Sequence, residues 1–190
     1  MEDLLQRKIR LLEQAEQAFR ERRYADAIRL YEEGLSTFGD DPDLMWGLAQ
    51  VEFTLSLEFP DAKDTHGHRA IHWLKEAIRI APERPEYYFD LGDMLEHVTI
   101  DYEAAAQAYR EALRLEPLYV PALARLAMLY GVPEDVVPLE EALSCCEKAV
   151  RLFPTRSLWL QLERLYRYAG READAQRATM NRLLTLRGRE

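Results

Sequence analysis

No extended apolar stretch occurs in this sequence. Apolar residues are interrupted every three or four positions, and no stretch approaches the roughly 20 apolar residues that a membrane-spanning helix requires. Residues 1–10 are charged and contain no apolar core of a secretory signal. These absences predict a soluble, cytoplasmic protein that does not insert into a membrane.

Motifs for catalysis and for phosphate binding are also missing. The sequence has no glycine-rich phosphate loop and no G-x-S-x-G pattern, and Ser144 has no histidine nearby in sequence. We therefore expect no enzyme activity and no cofactor. The net charge of −9 argues against a nucleic-acid partner, because phosphate binding depends on clustered Lys and Arg.

Cysteine is nearly absent, with only Cys145 and Cys146 in the chain. Neighbouring residues on a helix point about 100° apart, so a structural disulfide between them is not expected. Cys146 occupies the bulky position of the repeat described below, which indicates a small buried apolar residue. The alternative is that the two adjacent cysteines form a redox-active pair or bind a soft metal ion.

What the sequence does contain is one short pattern written several times. A small residue is followed by a bulky one four positions on, a small one three further and then an apolar one. Offsets of four and seven lie on one face of a helix. Recurrence at intervals of 33 to 43 residues indicates a stacked repeat architecture. The copies begin at Ala27, Ala70, Ala105 and Ala142, with a weaker one at Ala175.

Prolines and a second apolar period divide each unit into two helices. Pro82, Pro117 and Pro154 follow three of the marker helices and are expected to end them, since proline lacks an N–H and disfavours helix in the preceding residue. Ahead of each marker helix lies another helical period, such as Trp46 with Phe53. One helical hairpin cannot cover its own apolar face, so the hairpins are predicted to stack.

This pattern resembles the tetratricopeptide repeat (TPR), whose usual unit has W-x2-L-G-x2-Y, then A-x3-F and then P over 34 residues. The third unit matches best, with Tyr88-x2-Leu91-Gly92-x2-Leu95, Ala105-x3-Tyr109, Ala112 and Pro117. The resemblance implies an all-α fold in a single domain over residues 1–190, a right-handed superhelical solenoid of antiparallel helix pairs. It comprises four full repeats and a degenerate C-terminal capping pair, with units at about 4–41, 42–83, 84–118, 119–155 and 156–188.

The resemblance also implies a function. In proteins of this family the first helices of successive units line a concave groove that holds a segment of a partner protein. The chain is therefore expected to be a non-catalytic interaction scaffold or adaptor that binds a protein or peptide. The groove residues expected here, from the matching positions and their neighbours, are Trp46, Gln50, Phe53, Phe89, Asp90, Asp93, His97, Met128, Arg164 and Tyr168.

Carboxylates form a stripe along the first helix of the third unit. Glu86, Asp90, Asp93 and Glu96 follow at spacings of three and four, and no Lys or Arg occurs from residue 85 to 109. Either an arginine from a neighbouring helix neutralises them, or a basic, partly apolar partner segment does, anchored on Phe89 and Trp46. A third alternative fills the groove with a second copy of the chain, which makes a homo-oligomer.

The second unit carries about nine extra residues, which lie at positions 57–68. Their charged composition with Pro and Gly predicts a surface loop that is dispensable for folding. Three of the four histidines, His66, His68 and His72, lie at the end of this segment or just after it, and His68 and His72 share a helix face at the spacing of metal ligands. His66, Asp61 or Asp64 would complete a set of ligands for zinc or nickel. The alternative function is thus a metal- or redox-responsive accessory protein that uses these histidines or the cysteine pair.

Overall fold

Helices form the secondary structure of the computed structural model, which describes residues 4–132 and 136–187. Over these residues there are ten α-helices and no strand, so the predicted all-α class is confirmed. The helices are α1 Leu4–Arg20, α2 Tyr24–Phe38, α3 Pro42–Glu58, α4 Lys63–Ile80, α5 Pro85–Met94, α6 Tyr102–Leu115, α7 Val120–Met128, α8 Leu139–Leu152, α9 Arg156–Tyr168 and α10 Glu172–Arg187. None of them is long and apolar enough to cross a lipid bilayer.

The chain divides into two compact units, Met1–Ile100 and Asp101–Glu190. The first contains α1 to α5 and the second α6 to α10. Two helices fall in each predicted repeat, and the division between the units lies within the third repeat, after its first helix.

Helix boundaries follow local signals. The helices α4, α6 and α8 each end two residues before one of the three prolines that were predicted to stop them. Asp41 caps α3, where its carboxylate accepts hydrogen bonds from the backbone N–H groups of Asp43 and Leu44. Asp101 caps α6 and Thr155 caps α9 in the same way.

Small marker residues form the packing positions of both units. Ala27, Ala70, Ala105 and Ala142 are all completely buried. Their role is to let a neighbouring helix approach, which brings interdigitated side chains to native density. The bulky position four residues on is buried as well, as Tyr31, Leu74, Tyr109 and Cys146 show.

The predicted loop at residues 57–68 is wrong. Helix α3 continues to Glu58, a short 3₁₀ turn spans Pro60–Ala62, and α4 begins at Lys63. The extra residues therefore lengthen this hairpin to helices of 17 and 18 residues. Packing explains the difference, because Gly67 is buried against Val98 and a helix can pass so close only without a side chain.

The first unit ends in a π-helical turn, Leu95–Thr99, which follows α5 directly. A Cβ on Gly67 would lie 2.3 Å from Val98 Cγ1, so α4 and this turn are in tight contact. Ile100 then adopts a left-handed conformation with φ of 56°, which stops the helical run.

A buried carboxylate joins the last two helices of the second unit. Glu163 in α9 is 3% exposed, and it contacts Arg167 at 2.8 Å and Arg182 of α10 at 3.2 Å. Arg182 thus reaches into the helix pair rather than into solvent. This ion pair adds to the apolar contacts of α10, in which Ala175 and Ala178 are also buried.

Candidate functional site

The first helices of the first three repeats line a small cavity within the first unit that is open to solvent. Its volume is about 230 Å³, and we call it the Asp90 cavity. Helix α1 contributes one lining residue, α3 three and α5 two. The lining residues are Phe19, Gln50, Phe53, Thr54, Asp90 and Met94. Three of these, Gln50, Phe53 and Asp90, are among the predicted groove residues, and the structure brings them together.

Asp90 is the charged group of this cavity. Its Oδ2 accepts hydrogen bonds from Trp46 Nε1 at 2.6 Å and from Gln50 Nε2 at 3.3 Å, both on α3. Burial raises the pKa of the Asp90 carboxyl, the two hydrogen bonds act in the opposite direction, and the nearby Asp93 and Glu86 raise it further. No cation is among these influences.

Trp46 supports Asp90 from behind. Its ring packs against Tyr87, with centroids 5.4 Å apart, and its indole N–H is already donated to Asp90. Tyr87 in turn donates its hydroxyl to Asp43 at 3.3 Å. The structure therefore engages Trp46 in holding the carboxylate, whereas the sequence suggested a free anchor for a partner.

His97 and Asp93 lie further along α5 and its π-helical turn. His97 Nδ1 is 2.8 Å from the backbone oxygen of Asp93, and its ring meets Phe53 edge-on with centroids 6.2 Å apart. Donor atoms of Asp93, Glu96 and His97 all lie within 4.8 Å of one another. Successive turns of one helix produce such a cluster without any ion, and Asp93 and Glu96 have interactions of their own, so we assign no metal site to it. Phe89, also on α5, is half-buried and engaged as well.

The first carboxylate of the stripe, Glu86, is neutralised from within the first unit. Arg84 Nε donates to Glu86 at 2.5 Å, and its guanidinium lies 4.9 Å from the ring centre of Tyr87. Charge is also unevenly divided along the chain. Residues 1–100 contain 12 Lys and Arg against 21 Asp and Glu, while residues 101–190 contain 13 of each. The entire net charge of −9 therefore belongs to the unit that holds the Asp90 cavity.

The three histidines do not assemble into a metal site. His66 Nδ1 contacts the carboxylate of Glu52 at 2.5 Å, while His68 Nδ1 contacts the backbone oxygen of Asp64 at 2.6 Å. His72 packs against the Trp73 ring. Among the described residues, the only group with metal-ligand spacing is the Asp93 cluster and not this one. The metal-responsive alternative therefore has no support from the arrangement of these side chains.

Glu52 explains the position of His66. It is completely buried in α3, and its second oxygen lies 2.8 Å from Arg69 Nη2 of α4. The two residues of α4 thus surround a buried carboxylate, which would otherwise carry a large desolvation cost. His66 stabilises the lengthened α3–α4 hairpin.

The cysteine pair is buried and unreactive. Cys145 is 6% exposed and Cys146 is fully buried. Burial raises the pKa of Cys145 to about 11 and that of Cys146 to about 12. Both thiols are protonated at neutral pH, and only the thiolate is a nucleophile or metal ligand. The redox alternative therefore has no support either.

The remaining predicted groove residues belong to the second unit. Met128 ends α7, and Arg164 and Tyr168 lie on α9, where all three are exposed. Tyr168 meets Tyr130 edge-on, with ring centroids 5.5 Å apart. Helix α9 is tied to α7 by a hydrogen bond from Gln161 to the backbone oxygen of Ala127. The structure therefore leaves these three predicted groove residues accessible, but it shows no contact that joins them.

Sequence reasoning missed three residues of the Asp90 cavity: Phe19, Thr54 and Met94. The first repeat departs from the family pattern, so no groove position was carried onto α1. An aromatic residue one turn after Gln14-Ala15 was the available signal for Phe19. Thr54 and Met94 each directly follow a predicted groove residue, Phe53 and Asp93. Only the packing of the helices places them around one cavity.

Comparison with known proteins identifies the fold. No protein-family model matches the sequence, and no curated protein sequence matches it. Among solved structures, MamA superposes with a TM-score of 0.75 at 19% identity over 92% of this chain and 95% of its own. MamA from Desulfovibrio magneticus RS-1 superposes with a TM-score of 0.74 at 18% sequence identity, over 96% of this chain and 97% of its own. TTC0263, a thermophilic TPR protein of Thermus thermophilus, superposes with a TM-score of 0.63 at 21% sequence identity, over 96% of both chains. The TPR-like repeat fold predicted from the sequence is confirmed.

Proposed function

We propose that this protein is a non-catalytic interaction scaffold whose first unit binds a segment of a partner protein across α1, α3 and α5. The observation that carries the proposal is the Asp90 cavity. It lies on the face made by successive first helices, where apolar side chains surround a carboxylate. Such a mixture of apolar contacts and a few placed polar groups is typical of recognition sites.

The partner segment is basic and partly apolar. Long-range attraction to a unit with all of the net negative charge favours encounter with a cationic chain. Phe19 and Phe53 then offer apolar contacts that a purely electrostatic partner would not use. Stacked first helices present an extended surface, which suits an extended or helical segment.

Site-specific photo-crosslinking tests this proposal. A benzophenone amino acid replaces Thr54 in the cavity wall, and in a matched variant it replaces Arg29 on the exposed side of α2. We expect the Thr54 variant alone to form cross-links in cells, to segments that are rich in Lys or Arg and carry apolar residues. Raising the salt concentration before irradiation should reduce their yield.

Three other outcomes argue against it. Equal cross-linking from position 29 would show that contact is not specific to the cavity face. Acidic cross-linked segments would contradict the electrostatic argument. Cross-links only to this chain itself would show that the groove serves a homo-oligomer rather than a separate partner.

A further inference from the structure

The Asp90 cavity points to a more specific ligand than a basic segment in general. We propose that it is a receptor for one lysine side chain of the partner, with the ammonium at the Asp90 carboxylate and the aliphatic stem against Phe19 and Phe53. This inference rests on the proposed function and adds the identity of the residue that the partner inserts.

The first argument is an unmatched charge. Two neutral donors, Trp46 Nε1 and Gln50 Nε2, hold Asp90, and no arginine or lysine of the described chain contacts it. The carboxylates that are fully buried in the described residues have cations: Glu52 has Arg69, and Glu163 has Arg167 and Arg182. Asp90, which is partly buried, has none. A partly desolvated carboxylate without a cation destabilises the folded protein. Burial raises the pKa of Asp90 for the same reason, because it disfavours the charged form. A cation from outside would offset it.

The second argument is the character of the walls. Phe19 and Phe53 present partly exposed aromatic rings, while Met94 also lines the cavity but is buried, with 1% of its surface exposed. A lysine side chain combines an apolar stem of four carbons with a charged tip, so it matches apolar walls around a carboxylate. Aromatic rings also attract an ammonium group through their negative faces.

The third argument distinguishes lysine from arginine. Both hydrogen bonds that Asp90 accepts go to the same oxygen, Oδ2. Only Oδ1 is left without one of these bonds. A guanidinium binds best when it reaches both oxygens of a carboxylate in parallel, whereas an ammonium acts as a point charge and needs only one. The geometry therefore favours lysine.

The indole N–H of Trp46 provides a direct reporter, because it donates to Asp90 itself. We would label the full chain with ¹⁵N, assign this indole signal by its loss in Trp46→Phe, and titrate with Nα-acetyl-lysine methylamide. The controls are the norleucine analogue, which has the same stem without the charge, and the arginine analogue. We expect a saturable shift of the Trp46 signal with lysine and about tenfold weaker binding of norleucine, with arginine between them.

Two variants complete the test. Asp90→Asn keeps an oxygen that accepts from Trp46 but removes the charge, so it should lose the preference for lysine over norleucine. Glu33→Gln changes the net charge equally at an exposed position of α2, and it should bind lysine like the parent. A Trp46 signal that remains dispersed in Asp90→Asn confirms that the variant is folded.

The proposal is overturned if norleucine binds as well as lysine, or if Asp90→Asn retains the preference for lysine. An arginine affinity equal to that of lysine would remove the third argument and, with it, the assignment of lysine. Each of these results leaves the photo-crosslinking test of the groove intact. Loss of cross-linking at position 54 while lysine still binds would instead reject the proposed scaffold function and keep the pocket.

Discussion

Two helices of the first unit, α2 and α3, approach closely. This contact predicts one substitution that destabilises the protein, but that stabilises it once a neighbouring side chain is made smaller. Gly47 lies in the middle of α3, and Tyr31 of α2 packs directly over it. A Cβ at position 47 would lie 2.4 Å from Cε1 and Cζ of Tyr31 and 2.7 Å from its hydroxyl oxygen. Carbon atoms in normal contact are about 3.5–4.0 Å apart, so the overlap exceeds about 1 Å.

Two opposing terms set the magnitude. Glycine inside a helix is about 1 kcal/mol less favourable than alanine, so Gly47→Ala would stabilise α3 if nothing stood above it. Overpacking a full core costs about 1–3 kcal/mol, and Tyr31 is only 2% exposed, so its ring has no free space to enter. We expect Gly47→Ala to lower the free energy of unfolding by up to about 2 kcal/mol, since the severe overlap with Tyr31 places the overpacking cost toward the upper end of its range.

Leucine at position 31 removes the atoms that overlap. In the Tyr31→Leu background, Gly47→Ala should therefore raise the free energy of unfolding by roughly 0.5–1 kcal/mol, through helix propensity alone. Urea denaturation followed by far-UV circular dichroism gives all four corners of this double-mutant cycle. A Gly47→Ala substitution that stabilises the protein equally in both backgrounds would refute the packing described here.

Three further variants test other parts of the structure. Because burial raises the pKa of Asp90 in the folded state above its ordinary value near 4, the folded protein binds this proton more tightly than the unfolded chain. The contribution of Asp90 to the free energy of unfolding must then fall as the pH rises from about 4 through the pKa of the folded state. In urea titrations, the stability gained by Asp90→Asn should therefore grow across this pH range and level off above it. Arg69→Ala leaves the buried Glu52 with one partner fewer and should lower the free energy of unfolding by roughly 2 kcal/mol or more. The surface control Arg79→Ala should lower it by less than about 1 kcal/mol. Equal urea midpoints for the two variants would contradict the buried contact. Tyr109→Ala should lower the stability by about 3–5 kcal/mol, and a thermal melt like that of the parent would show that the repeat register is wrong.

The Asp90 cavity illustrates how far the sequence reaches into the site. Family positions identified Gln50 and Phe53, and the run without Lys or Arg identified Asp90 as a carboxylate in need of a counterpart. Its hydrogen-bond donor Trp46 lies 44 residues earlier in the chain, and only the packing of α5 against α3 brings them together. A list of groove positions cannot tell which side chains point outwards and which, like Trp46, hold a neighbour.

The order of the helices, the pairing of small and bulky positions, and the points at which helices stop all follow from the amino-acid sequence alone. These are local properties, because proline, capping residues and the 3.6-residue period act within a turn or two of the backbone. Whether residues 57–68 form a loop or helix depends on long-range packing, because the buried contacts of Glu52 with His66 and of Gly67 with Val98 outweigh a loop-like composition. Long-range packing also determines which carboxylate is held without a cation, since burial and the absence of a partner are properties of several packed helices together.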